Sequence, residues 1–324
     1  MNNRRQLLSA ALLAACTAAP WAAAAQGFPS KPIQMVVSAP PGSAPDIIAR
    51  LLADQYRLRL GQPVVVENRP GAGGIIAINA MKDAPADGHR LLFAQAAVVV
   101  VTPLTYKEAR YDMLRDFEPV SALASTPMMF VAHPPSGPKN WQEAVARSRG
   151  QPEKLSLGNP TRTSIPHLAG ELVDARSGGR FQHVSMSNTG QGIQAVVNGD
   201  TQMYVDGVAA VLPMVKAGRL RPLAVTADRE LPGLEGIPLA KSVVPDTVVS
   251  GWFVLFAPKG TPQPVLERLN AAAHEAMHAP EVVARMYEMG NYPMGGGLRD
   301  AQSFVAAERD RWADVIRRAR IAAE

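Results

Sequence analysis

The densest group of reactive side chains is Gly158-Asn159-Pro160-Thr161-Arg162-Thr163-Ser164, with His167 just beyond it. Hydroxyls, an amide and a guanidinium packed this closely can fork around a carboxylate, because a planar guanidinium offers paired donors to both oxygens. The alternative is a polar surface loop with Arg162 in solvent. A second loop, Pro40-Pro41-Gly42-Ser43-Ala44-Pro45-Asp46, joins a predicted strand end to a predicted helix start. Free N–H groups and the helix dipole attract an anion there. Gly42 permits close approach of a ligand, and Asp46 is expected to cap the helix. A third loop of the same kind is Ser185-Met186-Ser187-Asn188-Thr189-Gly190. Asp206, at a strand end in Tyr204-Val205-Asp206-Gly207, either accepts from a ligand amine or hydroxyl or caps the next helix.

Catalytic signatures are weak. Ser164, His167 and Asp206 have the side chains of a triad, but Ser164 and His167 would share one helical turn and no Gly-x-Ser-x-Gly elbow exists. His274 and His278 lie at helical i,i+4 spacing without a surrounding His-Glu-x-x-His pattern, so solvent-exposed histidines are expected. Gly71-Ala72-Gly73-Gly74 resembles part of a dinucleotide loop, yet its third glycine would fall at Ile76. Neither cofactor nor metal is expected, and the chain reads as a binding protein.

The elements that must hold these loops alternate. Ile33–Val37, Pro63–Val66 and Arg90–Phe93 read as strands with helices after Asp46 and over Ile75–Asp83. A second unit repeats the alternation. Its strands fall near Lys154–Leu157, Gln182–Met186, Gln202–Val205 and Pro222–Val225, with helices near 141–149, 164–177, 190–198 and 209–217. Apolar stretches Glu118–Ala132 and Val248–Ala257 read as the two connections between units. Helices alone follow, over 264–277, 280–289 and 300–319, and cannot form a third domain. The expectation is an α/β protein of two domains. The first is 26–125 completed by 249–324, the second is 126–248, and ligands sit between them where strand ends face helix starts.

The first residues read as an export signal. Met1-Asn2-Asn3-Arg4-Arg5 is basic, Leu7 to about Thr17 is apolar, and Ala22–Ala25 offers an Ala-x-Ala site before Gln26. Cleavage near Ala25 gives a periplasmic protein. Leu13-Ala14-Ala15-Cys16 is an alternative lipid-anchor site, and Arg4-Arg5 an alternative twin-arginine signal. Cys16 is the only cysteine, so a cleaved chain has no disulfide. Losing Arg4 and Arg5 lowers the formal charge from +5 to +3, too small and too scattered for a nucleic-acid binder.

Phe28-Pro29-Ser30-Lys31-Pro32-Ile33, the string Leu60 to Gly74, Leu114-Arg115-Asp116-Phe117-Glu118-Pro119-Val120 and His167-Leu168-Ala169-Gly170-Glu171 together resemble the Bug family. Those are extracytoplasmic receptors of tripartite tricarboxylate transporters. The resemblance spans the chain after residue 25. It implies a two-domain periplasmic-binding-protein fold (type II) with mixed sheets and a two-segment hinge. It implies a small carboxylate ligand and delivery to membrane permease subunits; a monomer suits a receptor that closes about a hinge. Carried over residue by residue, the site falls on Pro41, Gly42, Ser43, Ala44, Asp46 and Gln95 in the first domain. In the second it falls on Asn159, Thr161, Arg162, Thr163, Ser164, His167, Asn188 and Asp206. Departures cluster on the binding loops: Ser43, Thr161 and Thr163 stand where the family usually has glycine, Pro45 stands where it often has threonine, and Ser185-Met186-Ser187-Asn188 replaces Pro-Tyr-Lys-Gly. An unusual ligand is therefore expected, with Arg162 supplying a charged contact. A receptor reporting to a signalling partner and a periplasmic hydrolase are the alternatives.

Overall fold

The computed structural model describes residues 27–150 and 154–318; the leader, with Cys16 and Ala25, lies outside the described residues. Strands β1 (Ile33–Val37), β2 (Val64–Asn68) and β3 (Arg90–Gln95) run parallel, with β1 in the middle, and are linked by α1 (Ala44–Leu60) and α2 (Ile75–Lys82). Gly61 ends α1 in the left-handed conformation, its N–H bonded to the Arg57 carbonyl, as a helix stop requires. After β3 the Ala97–Val101 run forms a π-helical turn, followed by α3 (Thr102–Thr105) and α4 (Met113–Asp116).

The glycine string of residues 71–74 has positive φ at every position, Ala72 included, and an added Cβ at Gly74 would collide with Val98. The glycines therefore serve a tight turn packed against the π-helical segment, which disposes of the dinucleotide resemblance.

Strand β4 (Phe117–Ala132) is one long strand where the sequence suggested a connection. Pairing register shifts at Pro119/Ser121 and Ala122/Ala124 bend it. Then come α5 (Trp141–Gly150), β5 (Ser156–Asn159), α6 (Ile165–Ser177), β6 (Gln182–Ser185), α7 (Thr189–Asn198), β7 (Met203–Gly207), α8 (Val208–Lys216) and β8 (Arg221–Val225). The chain returns through β9 (Ser250–Pro258) and ends in α9 (Gln263–Met277), α10 (Pro280–Glu288), the short β10 (Tyr292–Pro293) and α11 (Leu298–Arg318).

The sheet order is β2-β1-β3-β9-β4-β7-β5-β6, with β8 and β10 also on β4. β4 pairs with β9 over Phe117–Pro127 and with β7 and β8 over Met128–Ala132, so it belongs to both lobes. This is the two-lobed periplasmic-binding-protein architecture. The terminal helices return to the first lobe: Val265, Leu266, Leu269, Ala273 and Met277 of α9 pack with Ile48, Leu52 and Tyr56 of α1 in one core. The Tyr56 hydroxyl donates to the Leu269 carbonyl at 2.6 Å, so burying this tyrosine leaves no unmatched polar group. In α11, Val305, Trp312 and Ile316 join a core shared with second-lobe residues such as Leu168 and Leu172. The indoles of Trp252 and Trp312 both donate to Glu308, at 2.7 and 3.1 Å.

Candidate functional site

Sheet register brings the predicted loops toward one another. Gln95 ends β3 opposite Phe253 of β9, which itself lies opposite Ala124 of β4. Coming from the other lobe, β7 runs antiparallel to β4 and ends with Asp206 opposite Met129 and Gly207 opposite Met128. The carboxyl ends of β3 and β7 thus point at the same stretch of β4 from opposite directions. Their partners on β4, Ala124 and Met128, lie four residues apart, about 14 Å of strand. β1 runs parallel to β3, and β5 and β6 run parallel to β7, so their terminal loops share these two orientations.

In the first lobe the β1–α1 loop is held by Asp46, which does not occupy the cap position. Ser43 is the N-cap, without a side-chain bond to the helix, and its Oγ donates to the Pro40 carbonyl at 2.6 Å. Asp46 sits in the first turn, buried, and accepts from Gly42 N–H at 2.8 Å, Asn68 Nδ2 at 2.9 Å and Arg50 Nε at 3.0 Å. Burial alone would raise this carboxyl. The bonds from Arg50, Gly42 and Asn68 outweigh it and hold the group below the usual carboxylate range. Asn68 also donates to the Ala39 carbonyl at 3.0 Å, tying β2 to the loop. The sequence reading missed Asn68 and Arg50, although Asp46 and Arg50 at i,i+4 are a recognisable helical pair. Pro41 and Gly42 are exposed, and Ser43 and Ala44 are half-buried at the helix start.

The second-lobe loop begins at Asn159, the last residue of β5. Asn159 is completely buried, and neither its amide oxygen nor its nitrogen has a hydrogen-bond partner among the described residues. Two orphaned polar atoms in one side chain are costly unless a ligand or water meets them. Thr161 and Arg162 are exposed. Thr163 has φ +62°, a conformation that glycine adopts freely and a β-branched residue rarely does; its Oγ1 donates to the Arg162 carbonyl at 2.6 Å. Ser164 caps α6, its Oγ accepting from His167 N–H at 3.3 Å and donating to the Thr161 carbonyl at 2.7 Å.

His167 is buried with its Nε2 3.5 Å from Glu171 Oε1. Burial first, then the charges of His183 and Arg162, push its pKa down to about 4. Asn188 caps α7 by accepting from Gln191 N–H at 2.9 Å. Asp206 accepts from Tyr204 Oη at 2.8 Å, Thr189 Oγ1 at 3.0 Å and Gly207 N–H at 2.7 Å. Burial pushes its carboxyl up, partly offset by those three bonds. Its oxygens thus fasten the β6–α7 loop to the end of β7, with Tyr204 sharing the task.

Ser164, His167 and Asp206 are not linked as a triad. The Ser164 hydroxyl meets the backbone of His167, and the imidazole faces Glu171. A cavity of about 370 Å³ opens between α1 and α8, lined by Ala44, Ile47, Ala209, Leu212, Pro213 and others. It contains one predicted residue, Ala44; its walls are mostly aliphatic but also include Lys216 and Glu288.

The model of the tripartite tricarboxylate transporter family receptor matches residues 48–321. The chain belongs to this receptor family. Its relatives include the protein BugT of Bordetella pertussis, 30% identical over 98% of this chain and 98% of BugT. The structure of Rpa4515 from R. palustris with adipate superposes with TM-score 0.81 at 28% identity, covering 92% of this chain and all of that one. MatC from Rhodopseudomonas palustris with bound malate gives TM-score 0.75 at 28% identity, covering 89% and 100%. Family members are periplasmic solute-binding receptors. Among the described residues of this receptor no helix is long and apolar enough to cross a membrane.

Proposed function

We propose that this receptor captures a small carboxylate between its lobes and delivers it to permease subunits of a tripartite transporter. The observation that carries the reading is the register of β4, along which strand ends from both lobes converge within five residues. The relatives with adipate and with malate support a carboxylate ligand. Asn159 would bind through both amide atoms, and Arg162 would supply the charged contact. Pro41 to Ala44, Gln95, Thr161, Thr163, His167 and Asn188 would form the walls. Asp46, Ser164 and Asp206 would hold the loops in place, since their polar atoms already have internal partners.

Closure would pivot where β4 and β9 pass between lobes, dividing the chain into 26–125 with 249–324, and 126–248. Release into the periplasm after cleavage near Ala25 and a monomeric state complete the proposal. The test is a thermal-shift series on the tag-free mature chain with malate, adipate, citrate, glutamate and nicotinate. An acid at a hundred times its dissociation constant should add about 2.7 kcal/mol of stability. That is an upward shift of roughly 5 °C for a chain of this size. If no acid shifts the transition while uncharged analogues do, carboxylate capture is refuted.

A further inference from the structure

Behind the Asn159–Ser164 loop, α6 and β6 bring four ligating side chains together. His167, Glu171 and Asp174 follow at i, i+4 and i+7 on one face of α6, and His183 projects from β6. His167 Nε2 is 3.5 Å from Glu171 Oε1, which is 3.9 Å from His183 Nε2, which is 2.9 Å from Asp174 Oδ2. One ligand atom each from His167, Glu171 and His183 can be chosen so that all lie within 4.8 Å of one another. Bonds of about 2.0–2.1 Å to a tetrahedral zinc ion would set its ligand atoms about 3.3 Å apart, the middle of the observed spacings.

We propose that His167, Glu171, His183 and Asp174 form a binding site for a divalent transition ion of the zinc class, pinning α6 to β6 beneath the ligand loops. Two neutral imidazoles and two carboxylates carry a charge of about −2, which a divalent ion neutralises, and imidazole donors favour zinc over calcium or magnesium. Gly170 makes the approach possible. A Cβ there would come within 2.8 Å of His183 Cε1, so only glycine lets the strand histidine lie against the helix. The imidazole rings meet edge to face with centroids 5.5 Å apart, with His167 Nε2 turned toward Glu171 and His183 Nε2 lying between Asp174, at 2.9 Å, and Glu171, at 3.9 Å. Glu171 keeps 27% of its side chain exposed, which supplies an entry path. Arg162 and Arg180 act on Glu171 from nearby and temper the site's negative charge. In sequence the site is invisible, because His167 and His183 lie on different elements with no metal-binding spacing. An ion here would hold the first turn of α6, and with it the Ser164 cap, against the strand that leads into the Asn188 loop.

The experiment uses chelator-treated, tag-free mature chain without any carboxylate ligand, so its outcome is independent of the transport reading. Zn²⁺ binding is followed by calorimetry, and Co²⁺ binding by the visible spectrum of a four-coordinate ion. One equivalent should bind, with a rise in melting temperature. Glu171→Gln and His183→Gln should each weaken binding about ten- to a hundredfold. His274→Gln, in the exposed pair, should leave it unchanged. Circular dichroism of Glu171→Gln, which keeps the side chain's shape, establishes that loss of binding is not loss of fold. No saturable binding below about 100 μM Zn²⁺ would overturn the proposal. So would binding that survives both substitutions, or that disappears only with His274→Gln.

Discussion

Replacing Asp46 with alanine tests whether the β1–α1 loop is held as the geometry indicates. The carboxylate accepts from Gly42 N–H at 2.8 Å, Asn68 Nδ2 at 2.9 Å and Arg50 Nε at 3.0 Å, with Arg50 Nη2 a further 3.0 Å from Oδ1. The Arg50 side chain is 51% exposed, so its ion pair is screened and contributes little. The other two bonds are charge-assisted, each worth about 1.5–3 kcal/mol. Part of that returns in the variant, because Gly42 N–H can turn to water and Asn68 keeps the Ala39 carbonyl. A net loss of about 2–3 kcal/mol follows, roughly 4–6 °C in calorimetric melting temperature near pH 7. The pH dependence has a definite sign. The folded carboxyl titrates below its unfolded value of about 3.9, so its stabilisation is complete above that pH. It disappears as pH falls through the lower, folded value. The gap between wild type and Asp46→Ala should therefore narrow as the pH falls below the ordinary carboxylate range. A gap under about 1 °C at neutral pH, or one that does not narrow on acidification, would refute the assignment.

Thr163→Gly should raise stability by about 1 kcal/mol, because relief of a left-handed β-branched residue exceeds the added chain entropy of glycine; a lower melting temperature would show that the Thr163–Arg162 bond repays the strain. Asn159→Ala should leave the ligand-free melting temperature equal or higher, since two unmatched polar atoms are removed, while carboxylate affinity falls at least tenfold. A destabilised variant with intact affinity would place the amide in the structure's service and not the ligand's. Arg162→Ala should likewise cost at least tenfold in affinity by calorimetry, about 1.4 kcal/mol, and a smaller loss removes Arg162 from the site.

Much of the fold is legible in the residues because its signals are local. Asp46, Gly61 and Ile75 lie within a residue or two of helix boundaries, and the strands of both lobes fall close to where β-branched runs predict them. What escapes is whatever tertiary contact decides. Ala97-Val98-Val99-Val100-Val101 has strand composition, yet it coils as a π-helical turn because Val98 must nest against the Cβ-less Gly74. Glu118–Ala132 is legible as apolar but not as one strand serving two lobes, since Pro119 and Pro127 argue against a central strand. Pro119 falls at a register shift, and Pro127 is the last residue paired with β9 before β7 takes over. Of the site, the loops are legible as loops. The work of Asp46 and Asp206 as internal fasteners is not, because Asn68 reaches Asp46 from β2 and Thr189 reaches Asp206 from the start of α7.

The passage between lobes is the point where these threads meet. Thr226 sits just past β8 and touches both chain crossings: its backbone N–H donates to the Met128 carbonyl at 2.9 Å, while its own carbonyl accepts from Val249 N–H at 3.0 Å. Its Oγ1 accepts from Met128 N–H at 2.9 Å and donates to the Val249 carbonyl. Met128 and Val249 are thereby locked to the second lobe as one body. In the proposed closure, rotation is expected beside this cluster, at Thr126-Pro127 and Ser250-Gly251, which pair with each other. Thr126 is bonded to Asn291, and Asn291 belongs to the chain that leads into β10. In the proposed closure, a turn about these crossings would bring the strand-end loops together.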